Sequence, residues 1–380
     1  MPENVSTVLS IGLRVPPIFG IDANGRFYAG EQQYGRPAIL LLAGGGAVGR
    51  MPDLLSAIAP LAADFADRNA DMLLIMEDNP GAIPAPPPPM RAIDCGDFLR
   101  RCGLGPEDIR VVVHDRNLRI ALVVHPDHEA DLAASCLDAL DRLPHEPPAD
   151  ISMPAPAIVL PNLLPPSLCR DLIRLFDTGP VVDGGVARVD AAGVIANVVD
   201  HAKKHRRDLV IPPGSELYAT LQAMLLERCR PEIAKAFRVQ VAYTDRMLVA
   251  CYDDSGGWFR RHRDTDAANV AFREFALSLN LNTGEYDGGH LLFPEYNDHR
   301  YSPPAGAGVI FAASVLHEVA EVTAGRRYVL LTFLHGEAAE QRRLAWEARS
   351  HAELGAAAPG SPASQPSQPA SKPAAATAGI

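Results

Sequence analysis

A proline-rich stretch at residues 143–156 separates two halves of the chain that differ in the spacing of their apolar residues. Proline fixes φ and lacks a backbone N–H, so such a stretch favours neither a helix interior nor a central strand. With 380 residues, the chain is long enough for two domains that each bury a core of their own. We therefore expect an interdomain linker here, between domains at residues 1–148 and 155–340.

The N-terminal half alternates between short apolar runs and longer segments with helical spacing. The expected elements, in chain order, are a strand at 38–43, a helix at 53–70, strands at 70–77, 109–115 and 119–126, and a helix at 129–143. A β-α-β unit followed by a hairpin and a helix is typical of a thioredoxin-like α/β fold. A proline cluster at 82–90 is expected to form a loop.

This half resembles the peroxiredoxin family. The resemblance rests on the opening VPPIFGIDANGRFY and on the strand QYGRPAILLL with the helix that follows it. The resemblance implies a peroxide-reducing cysteine directly after the first central strand, where the helix dipole lowers the thiol pKa. Residues 43–49 stand at this position, read AGGGAVG and contain no cysteine. We therefore expect a redox-inactive module that serves structure or partner contact, with a thiol peroxidase as the alternative.

The net charge, the apolar pattern and the cysteines limit which partners and which cellular compartment we expect. The net charge of −11 argues against nucleic-acid or anionic-membrane binding by a basic face. No apolar run is long enough for a transmembrane helix, and the N-terminus lacks a signal-peptide pattern. The six cysteines are scattered without a CxxC pair, which favours reduced thiols in a cytoplasmic protein. Residues 351–380 are rich in Ala, Pro and Ser and predict a disordered tail.

The C-terminal half predicts two helices and a series of short strands. The helices are expected at 161–178 and 215–237, and the strands at 247–253, 274–282, 288–294, 308–314 and 327–334. Short strands at this spacing favour a sandwich or jelly roll with flanking helices. The expected class is α+β, with a double-stranded β-helix.

Two histidines and one carboxylate in this half could hold a metal. His262 and Asp264 are two residues apart, so in an extended segment both side chains project to the same face. His317 would complete the set from a distant strand. This ligand set is that of the facial triad that binds non-haem Fe(II) and leaves positions open. An isolated His-x-Asp pair is a weak signal in a chain with 12 histidines.

Four motifs in order make the signal specific, and together they resemble the prolyl 4-hydroxylase type of 2-oxoglutarate/Fe(II)-dependent dioxygenase. They are a Tyr–Gly–Phe lead into the His-x-Asp pair at Tyr252–Asp264, the GGHLLFP stretch at Gly288–Pro294, the final-histidine segment around His317, and Arg327 ten residues later. The resemblance covers most of residues 155–340.

The resemblance implies a role for each matching residue. His262, Asp264 and His317 would bind Fe(II). Arg327 would grip the distal carboxylate of the co-substrate 2-oxoglutarate, and Tyr252 would donate a hydrogen bond to it. The implied reaction uses O2 to hydroxylate an unactivated C–H bond, of a prolyl or other peptidyl residue or of a small molecule, with release of succinate and CO2. L-Ascorbate commonly rescues the iron in this family.

Other polar residues carry weaker expectations. Arg326 should point to the strand face opposite Arg327, and His290 should be structural. Three further histidines are expected in solvated turns: His201, His299 and His335. A charged cluster predicts a solvated face or, as the alternative, the frame of a substrate entrance; it comprises Asp200, Lys203, Lys204, Arg206 and Arg207. A non-enzymatic interaction protein is the remaining alternative for the whole chain. The primary substrate and the oligomeric state stay open.

Overall fold

The computed structural model describes residues 9–29, 34–77, 86, 90–144, 149–189 and 195–357. The chain divides into two compact units, Met1–Pro147 and Pro148–Ile380. Most of the proline cluster at 82–90 lies outside the described residues. Across the described residues, no helix is both long and apolar enough to cross a membrane.

The first unit is built from strands and short helices. The strands are β1 (Phe19–Asp22), β2 (Phe27–Ala29), β3 (Ala38–Ala43), β4 (Asp71–Met76), β5 (Arg91–Asp94), β6 (Ile109–His114) and β7 (Ile120–Val124). The α-helices are α1 (Met51–Ile58), α2 (Ala62–Asp67), α3 (Phe98–Arg101) and α4 (Leu132–Asp141).

The seven described strands of this unit form a single sheet in the order β2-β1-β5-β4-β3-β6-β7. Strand β3 is buried along its whole length, as its unbroken apolar run predicts for a strand covered on both faces. It pairs parallel to β4 and antiparallel to β6, which in turn forms a hairpin with β7. The predicted β-α-β unit with a hairpin and a closing helix is therefore present.

This unit differs from the sequence prediction in several places, and β1, β2 and α3 are among the elements that were not expected. The helix expected at 53–70 is interrupted by a 3-10 turn at Ala59–Leu61, because Pro60 has no N–H for a helical hydrogen bond. Strand β5 was not predicted, since four residues directly after a proline cluster carry too little pattern.

The second unit contains more and shorter strands. They are β8 (Ala157–Leu160), β9 (Val182–Asp183), β10 (Val186–Val189), β11 (Ile195–Val198), β12 (Lys204–His205), β13 (Arg207–Ile211), β14 (Tyr243–Asp253), β15 (Trp258–His262), β16 (Phe275–Asn280), β17 (Tyr286–Gly288), β18 (Leu291–Leu292), β19 (Gly308–Ala312), β20 (His317–Val319) and β21 (Val322–His335). The helices are α5 (Pro166–Thr178), α6 (Glu216–Phe237) and α7 (Glu337–Ala357).

Two of the sheets in this unit pack against each other. The larger has the order β8-β19-β16-β21-β14-β13-β9, with β17 also paired to β21, and the smaller has the order β12-β15-β20-β18. Apolar side chains from both sheets form one buried cluster that includes Val329, Phe311 and Val319. A second cluster covers the other face of the larger sheet with α5 and α6. The unit is thus a layered structure in which the smaller sheet lies on the inner face of the larger one.

Helix α7 changes the predicted boundary of the C-terminal tail. It ends at Ala357, so residues 351–357 are helical although they fall in the segment expected to be disordered. Ala, Glu and Leu in this stretch are good helix formers and extend the preceding helix. Residues 358–380 lie outside the described part of the chain.

Candidate metal centre

His262, Asp264 and His317 come together at one end of the smaller sheet. His262 closes β15 and His317 opens β20, and the two residues are direct partners in the antiparallel pairing of these strands. Asp264 follows two residues after His262, and its backbone N–H donates to the carbonyl of Ala313 at 2.9 Å. One ligand atom from each of the three side chains lies within 4.8 Å of the others.

Backbone carbonyls orient both imidazole rings. Nδ1 of His262 is 2.8 Å from the carbonyl oxygen of Arg260. In the same way, Nδ1 of His317 is 2.9 Å from that of Val315. An Nδ1–H donated to a carbonyl leaves Nε2 as the free lone pair, which is the arrangement that orients metal-binding histidines. The two Nε2 atoms face the carboxylate of Asp264, at 3.6 Å for His262 and 3.4 Å for His317.

Aromatic neighbours hold the rings in place from the side. Phe259 stacks on His262 with ring centroids 3.5 Å apart. Phe311 meets His317 edge-on at 4.6 Å. Both phenylalanines exclude water from the imidazoles and leave few alternative rotamers.

The electrostatics of the cluster favour the protonation states that bind metal. Burial lowers the pKa of His317 to about 4, so its imidazole is neutral at pH 7. Burial alone would raise the pKa of Asp264, but the facing histidines outweigh it and bring that pKa down to about 2. A neutral imidazole beside an ionised carboxylate is the form in which these side chains coordinate a cation.

Tyr252 and Arg327 lie together on the inner face of the larger sheet. They are direct partners in the pairing of β14 with β21. The guanidinium carbon of Arg327 is 5.3 Å from the centre of the Tyr252 ring. Nη2 of Arg327 donates to Oδ1 of Asn280 at 3.0 Å. Its Nε and Nη1 are buried and have no hydrogen-bond partner among the described residues.

A glycine makes room for the Arg327 side chain. Gly289, the second glycine of GGHLLFP, has a φ of +63°, and a Cβ placed on it would lie 2.7 Å from Cδ of Arg327. Any larger residue at 289 would combine backbone strain with a clash against this side chain. The motif therefore serves Arg327 directly, a link that the sequence alone did not show.

A cavity of about 520 Å³ opens beside the triad. Its lining includes the three triad residues, Tyr252, Phe311 and Leu331. Arg327 does not line the cavity. Its guanidinium lies against the ring of Tyr252, a residue that does line the cavity. Burying a charged group without an ionic partner is costly, so the position of Arg327 is suited to an anion that reaches past Tyr252.

Part of the charged cluster predicted as a solvated face is buried instead. Lys204 and Arg206 are only 3% and 9% exposed, and both line the cavity. The short strand β12 pairs with β15 and so places Lys204 opposite Phe259. Arg206 donates to the hydroxyl of Tyr252 at 3.1 Å and forms an ion pair with Asp208. The solvated-face prediction is wrong for both residues: the pairing of β12 with β15 covers Lys204, and Tyr252 and Asp208 hold Arg206.

The predictions for Arg326, His201 and His299 agree with the structure, and the prediction for His335 does not. Arg326 pairs with Asp177 of α5 at 3.1 Å, on the sheet face opposite Arg327 as predicted. His201 and His299 are exposed, but His335 is 1% exposed and its Nε2 lies 2.8 Å from Glu340. The prediction of a solvated His335 is wrong because α7 folds back over the end of β21.

The surroundings of the cysteines disfavour the thiolate form where the pKa is shifted. All six lie in the described part of the chain, are buried and form no disulfide. Burial raises the pKa of the Cys95 and Cys102 thiols to about 12, so both are protonated at neutral pH. A thiolate is the form that attacks peroxide, and both of these cysteines keep the thiol proton at neutral pH.

Comparison with known proteins places the chain in a family. No protein-family model matches it. A PKHD-type hydroxylase of Stenotrophomonas maltophilia is 34% identical over 198 residues, which cover 50% of this chain and 83% of that protein. The chain belongs to the PKHD-type hydroxylase family. The hydroxylase class expected from the sequence motifs is therefore confirmed.

Solved structures give more distant similarities. A prolyl 4-hydroxylase of Pseudomonas putida is similar over 48% of this chain and 94% of its own, with 21% identity and a TM-score of 0.37. The thioredoxin domain of a thiol-disulfide oxidoreductase from Bacteroides vulgatus is similar over 35% of this chain and 99% of its own, with 18% identity and a TM-score of 0.28. Both TM-scores are low, and the family assignment rests on the sequence match.

Proposed function

We propose that this PKHD-type family member is an Fe(II)- and 2-oxoglutarate-dependent dioxygenase that hydroxylates an unactivated C–H bond. The observation that carries the proposal is the triad itself: two Nε2 atoms and one carboxylate converge, and backbone carbonyls fix both rings from behind. Three protein ligands of this kind leave coordination positions open for a chelating co-substrate and oxygen.

The donor set fits Fe(II) on its chemistry. His262 and His317 would each supply one Nε2, and Asp264 one carboxylate oxygen. Imidazole and carboxylate ligands suit a borderline metal, whereas the absence of a thiolate among the three disfavours a structural zinc site. Bound iron would supply the activation of O2 that couples oxidation of 2-oxoglutarate to oxidation of the substrate.

We infer that Arg327 holds the distal carboxylate of 2-oxoglutarate. Its Nε and Nη1 have no hydrogen-bond partner among the described residues, so a buried, permanently charged guanidinium keeps donors that a carboxylate can accept from. Tyr252 would add a third, because its oxygen accepts from Arg206 and its own O–H remains available to donate. Asn280 accepts a hydrogen bond from Nη2 and so fixes the orientation of the guanidinium.

The surrounding side chains would shield and orient the reacting groups. Phe259 and Phe311 cover the imidazoles, and Leu331 adds an apolar wall to the cavity. Overall, O2, 2-oxoglutarate and a C–H bond would give succinate, CO2 and a C–OH group. We assign the two-sheet core of the second unit to the double-stranded β-helix fold, and the first unit to a thioredoxin-like module without peroxidase activity.

The test is succinate formation from 2-oxoglutarate, measured with and without Fe(II) and with ascorbate to keep the iron reduced. We expect iron-dependent succinate in the wild type, a loss of at least 100-fold in His262→Ala, and full activity in the exposed control His299→Ala. Equal succinate formation by the wild type and His262→Ala would overturn the proposal.

A further inference from the structure

One wall of the cavity carries more positive charge than the carboxylates beside it neutralise. Lys204, Arg206 and Arg246 all line the cavity. The two arginines share the carboxylate of Asp208, which pairs with Arg206 at 2.6 Å and more loosely with Arg246 at 3.7 Å. A further pair on this side, Arg273 with Asp245, is internally neutral.

Lys204 is the cation of this wall without a carboxylate partner among the described residues. Its ammonium donates to the backbone carbonyl of Gly185 and lies 5.0 Å from the centre of the Phe259 ring. Phe259 in turn stacks on His262, so one aromatic ring contacts both the ammonium and a triad residue. Burial lowers the pKa of Lys204 to about 7, and the charge of Arg206 acts in the same direction.

Arg246 is directed into the cavity by an irregular backbone. It lies in a β-bulge between Asp245 and Leu248 and has a φ of +41°, a conformation that non-glycine residues rarely adopt. Bulges next to active sites often redirect a side chain, and strained residues persist where the surrounding structure holds them. The bulge here places a second guanidinium beside Lys204 and Asp208.

We propose that the primary substrate carries a carboxylate, and that Lys204 and Arg246 bind it while the carbon to be hydroxylated lies over the triad. This proposal rests on the proposed function and extends it to the class of substrate. The separation of the two cationic regions supports it. Arg327 lies against the Tyr252 ring and does not line the cavity, whereas Lys204 and Arg246 do. A free carboxylic acid and an acidic peptide side chain share this chemistry.

The experiment uses the full chain with Mn(II) in place of Fe(II), saturating 2-oxoglutarate and no oxygen. Paramagnetic Mn(II) broadens the NMR signals of any molecule held near the triad. The probes are propionate and its uncharged counterpart propionamide, followed by the blocked peptides acetyl-Ala-Glu-Ala-amide and acetyl-Ala-Gln-Ala-amide. The first pair reports a free acid, and the second reports an acidic side chain.

We expect the charged member of at least one pair to broaden at least threefold more than its neutral counterpart. That excess should be lost in Lys204→Met and kept in Lys204→Arg. It should also persist in Lys235→Met, which removes an ammonium from helix α6 that pairs with Glu232. Whichever charged probe gives the excess identifies the source of the carboxylate.

Three outcomes would overturn the inference. Charged and neutral probes could broaden equally in the wild type, or Lys204→Met could retain the excess. Alternatively, Lys204→Met could abolish the broadening of 2-oxoglutarate itself, which would assign Lys204 to the co-substrate. Failure of the proposed function has a different signature, because Mn(II) would then broaden neither 2-oxoglutarate nor any probe; that result would reject both ideas.

Discussion

Arg327 packs against the ring of Tyr252, with its guanidinium carbon 5.3 Å from the ring centre and two of its nitrogen atoms without a hydrogen-bond partner in the described structure. The two residues face each other across β14 and β21. A buried guanidinium with unused donors is expensive unless an anion binds it. This pair therefore links the fold of the larger sheet to the proposed recognition of 2-oxoglutarate.

Replacing Arg327 should weaken co-substrate binding selectively. Arg327→Gln removes charge-assisted hydrogen bonds that are worth about 1.5–3 kcal/mol, which corresponds to a rise of roughly 10- to 100-fold in the KM for 2-oxoglutarate. Arg327→Lys keeps the charge but loses the fork, so its KM should lie in between. Steady-state succinate kinetics measure both. An unchanged KM in Arg327→Gln would show that another cation holds the co-substrate.

Gly289→Ala should reproduce the effect of losing Arg327. The new Cβ would lie 2.7 Å from Cδ of Arg327, so the arginine must move. We expect a rise of roughly tenfold in the KM for 2-oxoglutarate, about 1.4 kcal/mol. The double variant Gly289→Ala/Arg327→Gln should be hardly worse than Arg327→Gln alone, because both changes remove the same interaction.

The matched control is Gly284→Ala. Gly284 also has a positive φ, +100°, but a Cβ there meets nothing within 4 Å. This variant carries the backbone strain without the clash, so its thermal stability should fall while its KM stays near the wild-type value. Equal KM changes in the two glycine variants would point to strain alone.

Tyr252→Phe should have a smaller effect than either change. It removes one hydrogen bond to the co-substrate, about 0.5–1.5 kcal/mol, and leaves the ring that packs on Arg327. We expect the KM for 2-oxoglutarate to rise roughly two- to tenfold. Tyr243→Phe, which removes a hydroxyl that donates to Glu337, is the control and should leave the KM unchanged. A null result in Tyr252→Phe would assign the hydroxyl a purely structural role with Arg206.

His114 should make the stability of the first unit depend on pH. Burial lowers its pKa to about 4 in the folded state, against an ordinary value of 6.5. Between these values the unfolded chain binds more protons, so the free energy of unfolding falls as the pH drops from about 6.5 to 4. The loss from this residue is about 3 kcal/mol, with 1.36 kcal/mol for each pKa unit.

Hydrogen exchange of the β6 amides, corrected for intrinsic rates, would measure this loss. His114→Gln should remove most of the His114 contribution to the pH dependence in this window. The same slope in the variant and the wild type would exclude His114 as its source.

The triad could be predicted from the sequence because its residues lie in short local motifs. Features that depend on the pairing of distant segments could not be predicted. His262 and Asp264 lie at one strand end, and His317 and Arg327 are only ten residues apart, on the consecutive strands β20 and β21. Lys204 is different: its burial depends on a two-residue strand pairing with β15, which no periodicity reveals. His335 was likewise expected to be solvated, whereas α7 covers it in the structure. Strand β5 was missed because four residues show no clear pattern.

The most direct measurement is an anaerobic calorimetric experiment in which Fe(II) and then 2-oxoglutarate are added to the chain. We predict one Fe(II) per chain and tight 2-oxoglutarate binding only after iron is bound. His317→Ala should lose both steps, whereas Arg327→Gln should keep the iron and bind the co-substrate at least tenfold more weakly. Binding of 2-oxoglutarate with the same affinity in the absence of iron, or unchanged iron binding by His317→Ala, would contradict this prediction.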